Sequence, residues 1–178
     1  MNRIFLIGYM GSGKSTVGRM VSEVLNISFV DLDEMIAVYA ESSIEEIFRE
    51  YGEIRFRELE QKCLEKVIEE SEFCVIATGG GTPCFYQNME FMKNNGLVVY
   101  LRHSVLSLIR GIDQSATVRP LLSSVHVEQR VSFVEKHLCE REEFYSGADV
   151  ILETENKTIS EIVEEIVEVY STKNRAGL

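Results

Sequence analysis

Gly8-Tyr9-Met10-Gly11-Ser12-Gly13-Lys14-Ser15-Thr16 is the stretch on which the fold turns. It fits the pattern Gly-x-x-x-x-Gly-Lys-Ser, in which glycines let the backbone curl so that successive N–H groups point inward at phosphate oxygens. The run before it, residues 3–7 (Arg-Ile-Phe-Leu-Ile), is short and apolar and suits a strand buried on both faces. After it, Val17, Met20, Val21, Val24 and Leu25 recur at helical spacing, so an amphipathic helix begins near Lys14. Strand, glycine loop and helix in that order aim the positive end of a helix dipole at an anion. In such a loop the backbone of Gly11, Ser12 and Gly13 cradles phosphates and Lys14 reaches the β- and γ-phosphates. The Ser15 hydroxyl ligates Mg²⁺, and Thr16 offers a hydroxyl or N–H to the α- or β-phosphate. The expected ligand is a nucleoside triphosphate, ATP with Mg²⁺.

Outward from the loop, short apolar runs alternate with helical segments. Strands are predicted at 28–31, 73–77, 97–101 and 150–152. Helices are predicted from Asp33, from a Ser43/Glu46 capping box, and over about 53–70 beyond Gly52. Others run through Glu90 and Phe91 to the stop Asn94-Asn95-Gly96, over 104–110, over about 127–144, and from Ile159 through Tyr170. Residues 111–124, which contain Arg119-Pro120, have no periodicity and read as a mobile loop. No repeat or linker divides the chain, so 1–178 is expected to be one domain.

The alternation implies an α/β fold with a parallel sheet covered on both faces. Ligands of such sheets bind at the carboxyl ends of the strands. Residues 8–14, the pair Asp31 and Asp33, and Gly79-Gly80-Gly81 all fall at those ends and should meet in one crevice.

The chain has 178 residues, with 18 basic against 29 acidic side chains and a net charge of −11. So acidic a surface repels nucleic acid and anionic membranes, and neither is expected as a partner. An anionic substrate then needs a local pocket of a few placed arginines. No apolar run reaches membrane-spanning length, and residues 3–7 are too short for a signal peptide, so a soluble cytoplasmic protein is expected. Cys63, Cys74, Cys84 and Cys139 form no Cys-x-x-Cys pair, and His103, His126 and His137 sit at no zinc-ligand spacing. The cysteines read as small buried hydrophobes in a reducing compartment.

Among the charged residues, Asp31 at a strand end can face Mg²⁺ or its water shell. Asp33 can point into the crevice and accept a proton from a substrate hydroxyl, or act only as a helix N-cap. Arg57 and Arg141 lie on helices, where a surface ion pair is the commoner fate, but either guanidinium can clamp a carboxylate. Glu60, three residues after Arg57, can hold that side chain in place. Arg119 in the loop can close on the transferring phosphoryl group, and Arg110 can stack on adenine.

Taken together, these residues resemble the shikimate kinases. The resemblance rests on 8–16, Asp31-Leu32-Asp33, Ile44-Glu45-Glu46-Ile47-Phe48, Gly52-Glu53, Phe56-Arg57 with Glu60, Gly79-Gly80-Gly81, Arg119-Pro120-Leu121-Leu122, and Arg141 with Tyr145 and Ala148-Asp149. It departs from the family at Thr82-Pro83-Cys84, in the length of the stretch between Arg110 and Arg119, and near 154–157.

The resemblance implies a three-layer α/β/α P-loop kinase of the nucleoside-monophosphate-kinase type. Its five-stranded parallel sheet would have order 2-3-1-4-5, with a lid at about 111–124 and a monomeric state. It implies a cytoplasmic enzyme of aromatic amino acid (chorismate) biosynthesis that transfers the γ-phosphoryl of ATP to the 3-hydroxyl of shikimate. Asp33, Arg57, Gly79, Gly80, Gly81 and Arg141 would then hold shikimate. Arg57 and Arg141 would take its carboxylate and Asp33 its hydroxyls. Ser15 and Asp31 would serve Mg²⁺, and Arg119 would reach the ATP phosphates from the lid. Two other readings stand beside it. One is another small-molecule kinase of the same fold, such as a gluconate kinase. The other is a non-catalytic nucleotide-binding module.

Overall fold

β1 (Arg3–Ile7) buries Phe5 and Ile7 on one side and Ile4 and Leu6 on the other, each in a separate apolar cluster. That alternation requires cover on both faces of the sheet. The computed structural model describes residues 2–114, 122 and 125–176. β2 (Ser28–Asp31), β3 (Cys74–Ala77), β4 (Leu97–Arg102) and β5 (Val150–Glu153) join β1 in one parallel sheet of order β2-β3-β1-β4-β5. This is the order expected from the resemblance.

α1 (Lys14–Leu25) and the last helix, α7 (Ile159–Ala176), cover one face through Val17, Val21, Ile162, Val163 and Ile166. The other face is covered by α2 (Leu32–Ala40), α3 (Ile44–Glu70), α4 (Asn88–Asn95), α5 (Val105–Gln114) and α6 (Arg130–Tyr145). These five helices lie on the side that holds the second pocket described below.

Local signals account for several boundaries. Ser43 Oγ accepts from the Glu46 N–H at 3.2 Å while Glu46 Oε2 accepts from the Ser43 N–H at 3.0 Å, the expected capping box. Gly52, at φ 77° and ψ 179°, breaks α3 into two segments, a conformation that favours glycine.

One expectation needs correction. Residues 111–114 are not loop but the last turn of α5. A Cβ on Gly111 would lie 2.1 Å from the Gly11 carbonyl oxygen. The glycine is there so that α5 can press its backbone against the phosphate loop. The rest of the expected lid, apart from Leu122, lies outside the described residues, and Arg119 lies there too. The helix expected over 127–144 is a short 3-10 turn, Val127–Gln129, followed by α6.

Cys63 and Cys74 are buried, as expected, whereas Cys139 is exposed because it lies on the outward face of α6. Burial pushes the Cys63, Cys74 and Cys84 thiols up to about 11. Among the described residues, no helix is long and apolar enough to cross a membrane.

Candidate active site

The loop after β1 curls through Gly8, Gly11 and Gly13, all at positive φ, and Gly13 caps α1. Ser12 N–H donates to Tyr9 O at 3.2 Å and closes the turn. Lys14 is buried, and its ammonium donates to Gly8 O at 2.9 Å, Tyr9 O at 3.0 Å and Ser12 Oγ at 3.3 Å. Ser15 and Thr16 stand exposed on the first turn of α1. Ser15 Oγ donates to Asp31 Oδ2 at 2.5 Å, and Asp31 Oδ1 accepts from the Asp33 and Glu34 N–H groups at 3.1 and 3.5 Å.

Asp31 is therefore the N-cap of α2, and Asp33 is not. Asp33 sits in the first turn of α2 and faces the crevice. It lines a phosphate pocket together with Gly11, Gly13, Lys14, Ser15, Thr16 and Asp31.

A second pocket adjoins the first. Asp33, Met10 and Gly80 line both. Its other walls are Ile44, Phe48, Phe56, Arg57, Glu60, Gly79, Gly81 and Arg141. The triple glycine after β3 is the floor, and its missing side chains explain how charged groups fit there. A Cβ on Gly79 would lie 2.5 Å from Glu60 Oε1 and 3.2 Å from Asp33 Oδ1. One on Gly80 would lie 3.5 Å from Arg141 Nη1, and one on Gly81 would lie 2.5 Å from Arg57 Nη2. Arg57 and Arg141, ambiguous by spacing, are thus both buried walls of this pocket.

Arg57 is held on several sides. Its Nη1 donates to Glu60 Oε2 at 2.9 Å, and its Nε and Nη2 donate to Glu53 Oε1 at 3.3 and 3.0 Å. The Phe85 and Phe56 rings lie 4.4 and 5.0 Å from its guanidinium carbon. Burial pulls the guanidinium pKa down, but the carboxylates of Glu60 and Glu53 outweigh it and hold it above the usual value. Burial pushes the Glu60 carboxyl above the usual carboxylate range, opposed by Arg57 and by the Thr82 hydroxyl, which donates to Oε1 at 2.6 Å.

Arg141 lies over the Tyr9 ring at 5.6 Å. On the same helix, His137 Nδ1 meets the Tyr9 hydroxyl at 2.9 Å, and the Tyr145 hydroxyl donates to Gly80 O. Burial, opposed by Arg141, pushes the Tyr9 phenol up to about 12, so it keeps its proton.

Three contacts have no counterpart in the sequence reading. Thr82 anchors Glu60, His137 ties α6 to Tyr9, and His103 Nε2 meets Ser12 O at 3.1 Å. His103 lies just past the carboxyl end of β4, and that placement is the signal by which it is recognisable. Arg110 is exposed on α5, and the α5 residues that line the phosphate pocket are Gly111 and Gln114 instead.

This sheet order and a phosphate loop after the first strand define a P-loop kinase of the nucleoside-monophosphate-kinase type. The family model described as shikimate kinase matches residues 10–171. A shikimate kinase of Azobacteroides pseudotrichonymphae genomovar. CFP2 is 41% identical over 167 residues, 94% of this chain and 98% of that protein. The structure of shikimate kinase from Bacteroides thetaiotaomicron matches with a TM-score of 0.86 and 39% identity, covering 94% of this chain and 97% of that one. That of shikimate kinase from Acinetobacter baumannii in complex with shikimate matches with a TM-score of 0.88 and 32% identity, covering 97% and 94%. The chain belongs to the shikimate kinase family.

Proposed function

We propose that this chain transfers the γ-phosphoryl group of ATP to the 3-hydroxyl of shikimate, giving shikimate 3-phosphate and ADP in aromatic amino acid biosynthesis. The observation that carries the reading is that Asp33 lines both pockets, the one under the phosphate loop and the one walled by two buried arginines. A donor phosphate and an acceptor hydroxyl meet at that shared wall. Asp33 accepts the hydroxyl's proton or aligns the oxygen for in-line attack. Arg57 and Arg141 form the only cationic part of the acceptor pocket among the described residues, and with the backbone of Gly79, Gly80 and Gly81 they suit a carboxylate on a small polyol.

On the donor side, the backbone of Gly11, Ser12 and Gly13 cradles the phosphates, with Lys14 and Thr16 as further donors. The Lys14 ammonium is held at the loop by the Gly8 and Tyr9 carbonyls, from which it can reach phosphate oxygens. Arg119 is assigned to the phosphates on its sequence pattern. Arg110, exposed on α5, is left as a rim contact for the base.

The family is ATP-dependent, and Mg²⁺ is the cation such a site takes. The chemistry of the donors fits it: a hydroxyl and a carboxylate, both hard oxygen ligands, meet beside the phosphate pocket. Among the described residues no cluster of three or more His, Cys, Asp or Glu side chains forms a cage for a metal ion. On the protein side, Ser15 and Asp31 are the residues that would hold such a cation. When bound, such a cation neutralises charge on the β- and γ-phosphates.

The chain is proposed to work as a cytoplasmic monomer without nucleic-acid or membrane partners, in line with its acidic balance. The reading is tested by ADP release with Mg·ATP and shikimate, gluconate, AMP or CMP in parallel. Release driven by shikimate alone is expected, and preference for gluconate or a nucleotide overturns it.

A further inference from the structure

Arg57 donates through Nε, Nη1 and Nη2 to two carboxylates, and these two partners are unlike each other. Glu60 is fully buried and is pinned a second time by the Thr82 hydroxyl. Glu53 is 47% exposed, and among the described residues its carboxylate has no hydrogen-bond partner besides Arg57. Glu53 occupies the Nε/Nη2 edge, the side-on fork that a carboxylate ligand fits.

Glu53 also stands at the joint of α3, one residue past the break at Gly52.

We propose that Glu53 is a built-in stand-in for the substrate's carboxylate. It fills the Nε/Nη2 edge of Arg57 and is displaced by the acid group that binds, which makes it a residue that sets specificity. The inference rests on the reading that the pocket takes a small polyol acid. The physical reason is desolvation. Arg57 is only 4% exposed, and a guanidinium so buried is costly to leave unpaired. A ligand with a carboxylate restores the ion pair, and the half-exposed Glu53 returns to water at small cost. A ligand without one has nothing to exchange for Glu53.

The test is calorimetric titration of the chain with shikimate, comparing wild type with Glu53→Gln and Glu53→Asp. Glu53→Gln removes the competing charge. Glu53→Asp keeps the charge but draws it back by one methylene from a fork now met at 3.0–3.3 Å. Both variants are expected to bind shikimate more tightly, by roughly twofold to fivefold, the upper range of a partly exposed ion pair. Tightening in Glu53→Gln alone would reflect only the local field and overturn the stand-in role. Unchanged or weaker binding in both would make Glu53 a support for Arg57 and overturn it as well. If the wild type itself does not bind shikimate, the substrate reading fails, and this inference fails with it.

Discussion

The Ser15 hydroxyl and the Asp31 carboxylate meet at 2.5 Å, joining the first turn of α1 to the end of β2 beside the phosphate pocket. Asp31 does two things at once: Oδ2 faces Ser15, and Oδ1 caps α2. Asp31→Asn keeps the shape and weakens the charge that a divalent cation needs. The Mg²⁺ concentration for half-maximal turnover is expected to rise by about 10- to 100-fold, the range seen when groups around a bound metal are altered. A titration of turnover against Mg²⁺ checks this, and an unchanged midpoint would remove Asp31 from the site.

Asp33 is the ionisable side chain common to the two pockets among the described residues. Asp33→Asn is expected to lower kcat by about 10²- to 10⁴-fold, the usual contribution of a positioned acid or base. Nucleotide affinity should stay within a few-fold, because the helix cap belongs to Asp31. Turnover and nucleotide binding measured on one preparation separate the effects. Full activity in the variant would end the proposed role.

The two arginines should respond differently to removal. Losing Arg57 leaves Glu60 buried without its ion-pair partner, so Arg57→Ala is expected to lower stability by about 3–5 kcal/mol as well as affinity. Arg141 has a ring contact with Tyr9 in place of so deeply buried a carboxylate, so Arg141→Met tests ligand binding more cleanly. Its shikimate dissociation constant is expected to rise by on the order of 10²-fold, as when one member of a buried charged pair is truncated. Denaturation and binding curves for both variants check the contrast.

Gly111 gives a prediction that only the packing shows. A Cβ there would meet Gly11 O at 2.1 Å and push α5 off the phosphate loop. Gly111→Ala is expected to raise KM for ATP by about tenfold or more, with shikimate affinity nearly intact, as for an overpacked contact worth 1–3 kcal/mol. Equal losses for both substrates would mean that the contact does not act through the loop.

Burial lowers the pKa of both His103 and His137, so the folded state holds them neutral where an unfolded chain would take up protons. The stability this gives is present in full above the ordinary imidazole value of 6.5. It is lost as pH falls through the depressed values in the fold. The melting temperature should therefore drop between about pH 7 and pH 5.5, where histidine is the side chain that titrates. Glutamine at both positions should flatten that slope; an unchanged slope would place its origin elsewhere.

Much of this is legible in the chain. The bounds of β1, the capping box at Ser43 and the break at Gly52 depend on local chemistry and can be read without tertiary contacts. The end of α5 cannot. Gly111 looks like a loop signal, and its reason for being glycine is a backbone 100 residues away, at Gly11 in the loop before α1. Burial of Arg57 and Arg141 is hidden for the same reason. Spacing places an arginine on a helix, but only the side-chain-free floor at 79–81 shows that there is room for it inside. Asp31 and Asp33 are indistinguishable as caps until the turn of α2 is known.

The most direct measurement of the central claim is ³¹P NMR of a mixture of the chain, Mg·ATP and shikimate. The account predicts ADP together with one new phosphomonoester resonance, coupled to the proton at C3 of shikimate, and neither product when shikimate is left out. Consumption of ATP to free phosphate, or ADP formed equally with and without shikimate, would contradict it.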